Sequence, residues 1–292
     1  MARVSPEPNA VEGRTCLVTG ATSGIGRSAA IALAERGARL VLVVRSLQRA
    51  EAVRSEIAAR TGNTDVEVLL ADLESQSEIR RAASELLASG EPVHVLLNNA
   101  GIVLTERSET GDGIETTFAV NHLAPFLLTN LLLERMIASA PARVVNVSSE
   151  AHRLGGGLDF DDLGARRRYS GMAVYGRSKL ANLYFTSELA RRLAGTGVTV
   201  NALHPGAVRT GLGQNNDAPI LKFLARLARP FFRSPDEGAD TAVWLCSAPE
   251  LFGVSGKYFS DRKERVPHRL AQDEAAARRL WDESAKLVGL AV

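Results

Sequence analysis

The chain has 292 residues, of which 45% are hydrophobic and 23% are charged, so it can bury a sizeable core and is not disordered as a whole. Its 35 basic and 33 acidic residues nearly balance, which argues against a nucleic-acid-binding protein. The cysteines, Cys16 and Cys246, stand far apart in apolar stretches, which predicts buried, reduced thiols and neither a disulfide framework nor a metal site.

The N-terminal segment MARVSPEPNAVEGR contains prolines and no apolar core, which is not the pattern of a signal peptide. We interpret residues 1–12 as a flexible arm. The rest of the chain has no uninterrupted apolar window of about 18 residues, so the sequence predicts no transmembrane span. Together with the reduced cysteines, this predicts a cytoplasmic protein.

Short apolar runs alternate with longer amphipathic segments along the chain. The predicted strands cover residues 14–19, 40–44, 66–71, 93–97, 143–147, 198–203 and 256–260. The predicted helices cover residues 27–36, 49–60, 78–88, 114–137, 174–193, 237–246 and 274–287. This alternation is typical of βαβ units and predicts a parallel sheet with helices on both faces. We therefore predict a single α/β domain over residues 13–292, with a doubly wound, Rossmann-type sheet.

The first strand is followed by a glycine-rich stretch, TGATSGIG, at residues 19–26. At this turn of a doubly wound sheet, the helix N-terminus offers unpaired N–H groups and partial positive charge to the pyrophosphate of a dinucleotide. Gly20 would permit the tight turn, Gly24 the approach of the phosphates, and Gly26 the packing of the helix against the strand. On this motif alone, an ordinary strand-to-helix turn remains an equal alternative.

The end of the second strand indicates which dinucleotide would bind. An acidic residue here would hold a ribose 2′-hydroxyl and favour NAD, but the strand ends in VVRS and the next acid is Glu51. Arg45 can instead meet a 2′-phosphate through a charge-assisted contact, which favours NADP(H) over NAD(H). The alternative is that Arg45 is an ordinary surface arginine.

Tyr175 and Lys179, in VYGRSKLAN, stand four residues apart and share one face of a predicted helix. Hydride transfer to a carbonyl leaves negative charge on its oxygen, so a nearby proton donor lowers the barrier. An adjacent ammonium, together with the positive charge of an oxidised nicotinamide, favours the phenolate and is expected to lower the pKa of Tyr175. We therefore predict that Tyr175 is the acid in reduction and the base in oxidation.

Ser148 and Ser149 follow the strand at residues 143–147, at the end where an open α/β sheet binds its ligands. Ser149 is our candidate for a second hydrogen-bond donor to the reacting oxygen. The alternative is that this pair forms only a turn or a helix cap. His122 and His152 lie nearby without a partner carboxylate pattern, and we interpret both as packing or supporting residues.

On these residues the sequence resembles the short-chain dehydrogenase/reductase family. Residues 19–26 resemble its TGxxxGxG motif, and residues 98–101 (NNAG) resemble its strand-four motif. The resemblance identifies Asn121, Ser149, Tyr175 and Lys179 as the catalytic tetrad. The candidate cofactor-binding residues are Gly20, Thr22, Ser23, Gly24, Ile25, Gly26, Arg45, Asp72, Leu73, Asn99, Ala100, Gly101, Tyr175, Lys179, Pro205, Gly206, Val208 and Thr210.

The resemblance also implies individual roles. Lys179 is expected to bind the nicotinamide ribose, and Asn121 to hold a water that links Lys179 to solvent. The pair Asp72-Leu73 is expected to flank the adenine, and the segment at residues 205–210 to contact the nicotinamide carboxamide. The family often pairs through its two long helices, which implies a homodimer.

Within the family, segments such as RVVNVSSEAH, LHPGAVRTGL and SGKYFSD resemble the retinol-dehydrogenase-like branch. The resemblance implies NADP(H) and lipophilic alcohols or carbonyls. This chain lacks the N-terminal membrane anchor of many members, so we expect a soluble enzyme for an apolar substrate other than a retinoid.

Apolar and basic residues interleave at residues 211–234, which we interpret as a substrate lid with an apolar underside. An ordinary amphipathic helix over the core and peripheral membrane contact are the alternatives. The glycine-rich loop at residues 154–172 is expected to form another wall of the cleft.

The sequence thus predicts an NADP(H)-dependent oxidoreductase that interconverts a lipophilic ketone or aldehyde and its alcohol. One alternative is a nucleotide-sugar epimerase or dehydratase of the same family, although such chains usually carry a larger C-terminal region. The other is a non-catalytic cofactor-sensing protein, against which the complete tetrad argues.

Overall fold

The strands form one sheet in the order β3-β2-β1-β4-β5-β6-β7-β8, in a computed structural model that describes residues 11–208 and 232–291. Every neighbouring pair is parallel except β7 and β8. This confirms the predicted fold class, with an antiparallel strand added at one edge. The strands are β1 Thr15–Thr19, β2 Arg39–Val44, β3 Val66–Leu70, β4 Val95–Asn98, β5 Ala142–Val147, β6 Val198–Leu203, β7 Tyr258–Ser260 and β8 Lys263–Arg265.

Helices cover both faces of the sheet. Because side chains alternate across a strand, Leu17 of β1 packs in one apolar core while Cys16 and Val18 pack in the other. The first core lies against α3, α4, α5 and α7, and the second against α1, α2 and α6. Both cysteines are free and buried, as predicted. The helices are α1 Gly24–Ala34, α2 Leu47–Thr61, α3 Gln76–Ala88, α4 Thr116–Ala138, α5 Gly171–Arg192, α6 Pro235–Ser247 and α7 Glu274–Leu287.

The edge hairpin differs from the prediction, which ended in a single strand over residues 256–260. Asp261 and Arg262 both adopt a φ of 54° and turn the chain back, so that β8 pairs with β7. A two-residue turn with both φ values positive is typical of hairpins. The sequence did not indicate it, because the turn has no glycine or asparagine and all of β8 is exposed and charged.

Helix α4 is long and apolar enough to cross a membrane by length and composition, although 83% of its apolar window is buried inside the protein. It therefore serves as a core helix. Its middle, Ala119–Leu123, is a π-helical segment that the predicted regular helix did not include. Such segments insert a residue into the helix and are frequent at functional sites.

Several predicted features fall on residues that the structure does not describe. These are residues 1–10 of the proposed arm, Thr210, and residues 211–231 of the proposed lid. Val11, also within the predicted arm, is fully buried against the second core. The division into an arm, a domain and a lid stays a prediction.

Candidate active site

The carboxyl ends of β1, β4, β5 and β6 lie side by side, because these strands are parallel neighbours. The glycine turn at residues 20–26 follows β1, residues 99–101 follow β4, Ser149 follows β5, and residues 205–208 follow β6. The sheet thus brings four sequence-predicted segments to one edge, where open α/β sheets bind their ligands.

The glycine turn is tightly fitted to the segment after β4. Gly20 has a φ of 67°, which favours glycine. A Cβ added to Gly26 would lie 2.4 Å from both the Asn99 amide nitrogen and the Gly20 carbonyl oxygen. Gly26 therefore lets the first turn of α1 approach both segments, which extends the packing role predicted for it.

Thr19, at the end of β1, joins the same two segments. Its hydroxyl oxygen accepts hydrogen bonds from the backbone N–H groups of Asn99 at 2.9 Å and Ala100 at 3.0 Å. The Asn99 side-chain amide donates in return to the Thr19 carbonyl at 2.9 Å. The role of Thr19 could not be predicted from the glycine motif, because this contact joins positions about 80 residues apart.

The N-terminus of α1 has the chemistry to bind a pyrophosphate. Ser46 and Ser75 each cap their own helix with a side-chain hydrogen bond, whereas Ser23 of α1 makes no such bond within the described chain. The cation in the first turn, Arg27, pairs with Glu56 of α2. The first N–H groups of α1 are thus without a side-chain cap, and the helix dipole adds partial positive charge there. Thr22, Ser23 and Ile25 lie in or beside this turn.

The proposed 2′-phosphate contact, Arg45, lies just beyond β2 with 62% of its side chain exposed. Its nearest charged partner is the Glu74 carboxylate, at 3.8 Å. Such a long, exposed ion pair is weak, so the guanidinium can exchange this partner for a phosphate. The Asp72 carboxylate accepts from the Glu74 N–H at 3.0 Å and shapes the turn, while Leu73 packs against the first core.

Tyr175 is only 8% exposed, and the Ser149 side chain acts on its hydroxyl and lowers the Tyr175 pKa. The Ser149 Oγ also accepts the Ala151 N–H at 3.2 Å, so the predicted capping role is real as well. Ser148, by contrast, is buried, and its hydroxyl donates to the Lys179 carbonyl at 2.8 Å. The geometry therefore favours Ser149 over Ser148 as the partner of Tyr175.

Gly176 explains how α5 reaches this serine. A Cβ added there would lie 2.6 Å from the Ala151 carbonyl oxygen and 3.0 Å from the Gly155 nitrogen. Only a residue without a side chain permits so close an approach, and it follows Tyr175 directly in sequence. No pattern in the sequence indicated this role, because the contact is made by segments that meet only in the folded chain.

The Lys179 side chain is buried beside Tyr175. Its ammonium donates to the Val147 carbonyl at 3.0 Å and lies 5.6 Å from the centre of the Tyr175 ring. Burial lowers the pKa of Lys179 to about 8. Burial also raises the pKa of Tyr175, and the hydrogen bond to Ser149 opposes this rise. In the protein alone the Tyr175 pKa is thus raised, because desolvation dominates. The expected lowering by the ammonium together with an oxidised nicotinamide stays a prediction.

Asn121 lies in the π-helical segment of α4 and is fully buried. Its side-chain oxygen accepts the Ile102 N–H at 2.7 Å, and its amide donates to the Ile102 carbonyl at 2.9 Å and to the Ser178 hydroxyl at 3.0 Å. A Cβ added to Gly101 would lie 3.3 Å from the Lys179 ammonium and 3.4 Å from the Asn121 oxygen. The segment after β4, α4 and α5 therefore converge at this point.

The segment after β6 meets the first turn of α1 through Gly238 of α6. A Cβ on Gly238 would lie 2.6 Å from a Val208 methyl carbon and 3.3 Å from Ile25. Gly206 has a φ of 83° and packs against the Arg233 side chain. Val208 is thus near the glycine turn, Pro205 and Gly206 precede it in the same segment, and Thr210 lies outside the described residues.

His122 is a packing residue, as predicted. It is fully buried, with one ring nitrogen 2.8 Å from the Ser284 hydroxyl and the other 3.4 Å from the Asn182 oxygen. Burial lowers the pKa of His122 to about 4, so the ring is neutral at physiological pH.

Comparison with known proteins points to one family. The sequence profile of the family described as short chain dehydrogenase matches residues 14–220. Retinol dehydrogenase 13 from Homo sapiens is 46% identical over 98% of this chain and 87% of its own length. Retinol dehydrogenase 12 from Mus musculus is 46% identical over 96% of this chain and 88% of its own length.

Solved structures agree with this result. An uncharacterised protein from Mycobacterium Paratuberculosis superposes with a TM-score of 0.77 at 34% identity, covering 98% of this chain and 96% of that chain. A 3-oxoacyl (acyl-carrier-protein) reductase from Agrobacterium tumefaciens, with NADP bound, superposes with a TM-score of 0.69 at 26% identity, covering 86% of this chain and 93% of that chain.

Proposed function

Because this chain belongs to the short-chain dehydrogenase/reductase family and resembles its retinol-dehydrogenase-like branch, we propose that it interconverts a lipophilic ketone or aldehyde and its alcohol with NADP(H). The observation that carries the proposal is the buried Tyr175 phenol with the Lys179 ammonium 5.6 Å from the centre of its ring, while the Ser149 side chain acts on the phenol and lowers its pKa. This arrangement places a proton donor, a second hydroxyl and a positive charge together.

The proton chemistry is assigned to this chain's own side chains. In reduction, the Tyr175 hydroxyl gives its proton to the substrate oxygen, and in oxidation the phenolate takes it back. The Ser149 oxygen already accepts the Ala151 N–H, which leaves the serine proton for the substrate oxygen. Lys179 is mostly charged at neutral pH, since its pKa is about 8, and its charge favours the phenolate.

The dinucleotide, when bound, would supply or accept the hydride at this edge of the sheet. The first turn of α1 and the Asn99 segment would hold it, since both present backbone close to the glycine turn. Arg45 supports the choice of NADP(H), because its exposed guanidinium is free to form a charge-assisted contact with a 2′-phosphate. The similar reductase that carries NADP is consistent with this choice.

The substrate class is proposed from the relatives. Those compared above are named retinol dehydrogenases, which act on a lipophilic alcohol by their name. Retinol and retinaldehyde therefore belong among the candidates, together with other apolar alcohols and carbonyls. Cytoplasmic location and the homodimer remain proposals, to be tested by cell fractionation and size-exclusion chromatography.

The test is a turnover screen with the purified chain. NADPH binding is followed by cofactor fluorescence, and loss of absorbance of the reduced nicotinamide is followed over aliphatic and aromatic ketones, aldehydes and retinaldehyde. We expect NADPH binding and consumption with apolar carbonyls. Binding without turnover of any carbonyl or alcohol would support the cofactor-sensing alternative, and conversion of a nucleotide sugar without net NADPH consumption would support the epimerase alternative.

A further inference from the structure

We propose that His152 is a positioning residue for Ser149, and that it couples the connection between β8 and α7 to the candidate active site. This inference rests on the proposed function, because it concerns the serine to which we assign a role in the reaction.

The hydrogen bonds of His152 determine where its ring proton lies. His152 is fully buried, and its Nε2 accepts the backbone N–H of His268 at 3.1 Å. A backbone N–H can only donate, so Nε2 must offer its lone pair. In the neutral ring the proton is then on Nδ1, which lies 2.7 Å from the Ser149 carbonyl oxygen and donates to it.

The surroundings keep the ring neutral and fixed. Burial lowers the pKa of His152, although the Ser149 carbonyl and the Glu150 carboxylate oppose the effect. The other charged groups that face it, Arg153 and His268, lower the pKa further. The Tyr258 ring of β7 packs against the imidazole in a T-shaped contact, with ring centres 5.5 Å apart. The imidazole therefore acts as a rigid link.

This link acts on the backbone of the serine. The Ser149 carbonyl accepts both the His152 ring N–H and the His152 backbone N–H, the latter at 3.1 Å. Ser149 is extended, with φ −158° and ψ 154°, so fixing its carbonyl also fixes the direction of its Cα–Cβ bond. The Ser149 hydroxyl is thereby directed toward Tyr175. A misplacement of about 1 Å at such a group can reduce the rate by about 100-fold.

Two substitutions of equal polarity test the two hydrogen bonds of His152 one at a time. In His152→Asn, the side-chain amide nitrogen can replace Nδ1 and keep the donation to Ser149. In His152→Gln, the longer side chain can place its oxygen near Nε2, which keeps the contact with His268 but loses the donation to Ser149. We expect kcat of the Asn variant within about threefold of wild type and kcat of the Gln variant about tenfold lower or more, with KM for NADPH unchanged in both.

A second pair of variants leaves the ring untouched. His268 has a φ of −55°, which proline can adopt, so His268→Pro removes the N–H that Nε2 accepts. Proline also removes the side-chain cap on Leu270, and His268→Ala removes that cap while keeping the N–H. We expect kcat of the Pro variant about threefold or more below that of the Ala variant.

The proposal is overturned if His152→Asn and His152→Gln have equal kcat values, or if His152→Gln has the wild-type kcat. If neither variant folds, equal kcat values for His268→Pro and His268→Ala overturn it. Ser149→Ala distinguishes a failure of the proposed role of Ser149 from a failure of the proposed role of His152. If it keeps full turnover, the proposed role of Ser149 fails; if it loses turnover while the Gln variant keeps it, only the role of His152 fails.

Discussion

The Lys179 ammonium lies 5.6 Å from the centre of the Tyr175 ring and donates to the Val147 carbonyl at the end of β5. Helix α5 and the sheet therefore fix the charge relative to the phenol. Both side chains are buried, and burial opposes the ionised form of each: it raises the pKa of Tyr175 and lowers that of Lys179 to about 8. Without a bound cofactor, Tyr175 is therefore present as the neutral phenol, the form that can donate a proton.

Removing the phenol hydroxyl tests the proton donor. Tyr175→Phe is expected to lower kcat by about 100-fold or more, because a positioned acid typically contributes that much, while NADPH still binds. The readouts are NADPH consumption and cofactor fluorescence. Tyr184→Phe is the matched control, since it removes a hydroxyl on the same helix that donates to the Leu270 carbonyl. Unchanged turnover in Tyr175→Phe would reject the assigned acid.

The buried lysine should make stability depend on pH. The folded pKa of Lys179 is about 8, below its usual 10.5, so between these values the unfolded chain binds more protons and stability rises with pH. Relative to Lys179→Met, we expect the wild-type free energy of unfolding to rise by on the order of 3 kcal/mol over this range. Denaturant unfolding at several pH values measures it, with Lys257→Met, at an exposed lysine, as the comparison. The prediction is contradicted if the difference in unfolding free energy between wild type and Lys179→Met does not change with pH.

The cofactor preference should depend on Arg45. Arg45→Asp is expected to lower the ratio of kcat/KM for NADPH to that for NADH by about tenfold or more, because a charge-assisted bond becomes a repulsion. Arg54→Asp is the control, because it makes the same change of charge at an exposed arginine of α2. An equal loss in both variants would indicate a general charge effect, and no loss at Arg45 would remove its assigned role.

The close packing at Gly26 should make it intolerant of a methyl group. A Cβ there would lie 2.4 Å from the Asn99 amide and the Gly20 carbonyl, so Gly26→Ala is expected to destabilise the fold by about 1–3 kcal/mol and to raise the Kd for NADPH. Gly111→Ala is the control, because nothing lies within 4 Å of its added Cβ. Thermal unfolding and fluorescence titration measure both effects. If Gly26→Ala has the wild-type melting temperature and the wild-type Kd for NADPH, the turn can accommodate a Cβ and the prediction is wrong.

A different effect is expected at Gly176, where an added Cβ would lie 2.6 Å from the Ala151 carbonyl. Gly176→Ala should move α5 away from the serine segment, which lowers kcat by about tenfold and leaves the Kd for NADPH near wild type. Gly111→Ala again controls for the substitution itself. If the Kd for NADPH rises while kcat at saturating NADPH stays near wild type, the contact does not serve to align Tyr175 with Ser149.

Much of the fold followed from local pattern. Strands such as β2 are apolar at nearly every position because both faces are covered, and this pattern predicted the parallel sheet. Boundaries were less accurate: α1 begins at Gly24 and α5 at Gly171, each three residues before the predicted start. Glycine favours a turn in a sequence-based prediction, but Gly24 and Gly171 are the first residues of their helices, and an added Cβ on Gly171 would collide with the Leu104 carbonyl.

The chain's own sequence determined which chemical groups are available: the glycine turn, the spacing of Tyr175 and Lys179, and the serine after β5. These are local features, because a helical turn or a strand end is set by neighbouring residues. Only the tertiary structure decided how the groups affect one another. Burial set the direction of the Tyr175 and Lys179 pKa shifts, and the link from His268 to Ser149 joins residues more than 100 positions apart, which no local pattern encodes.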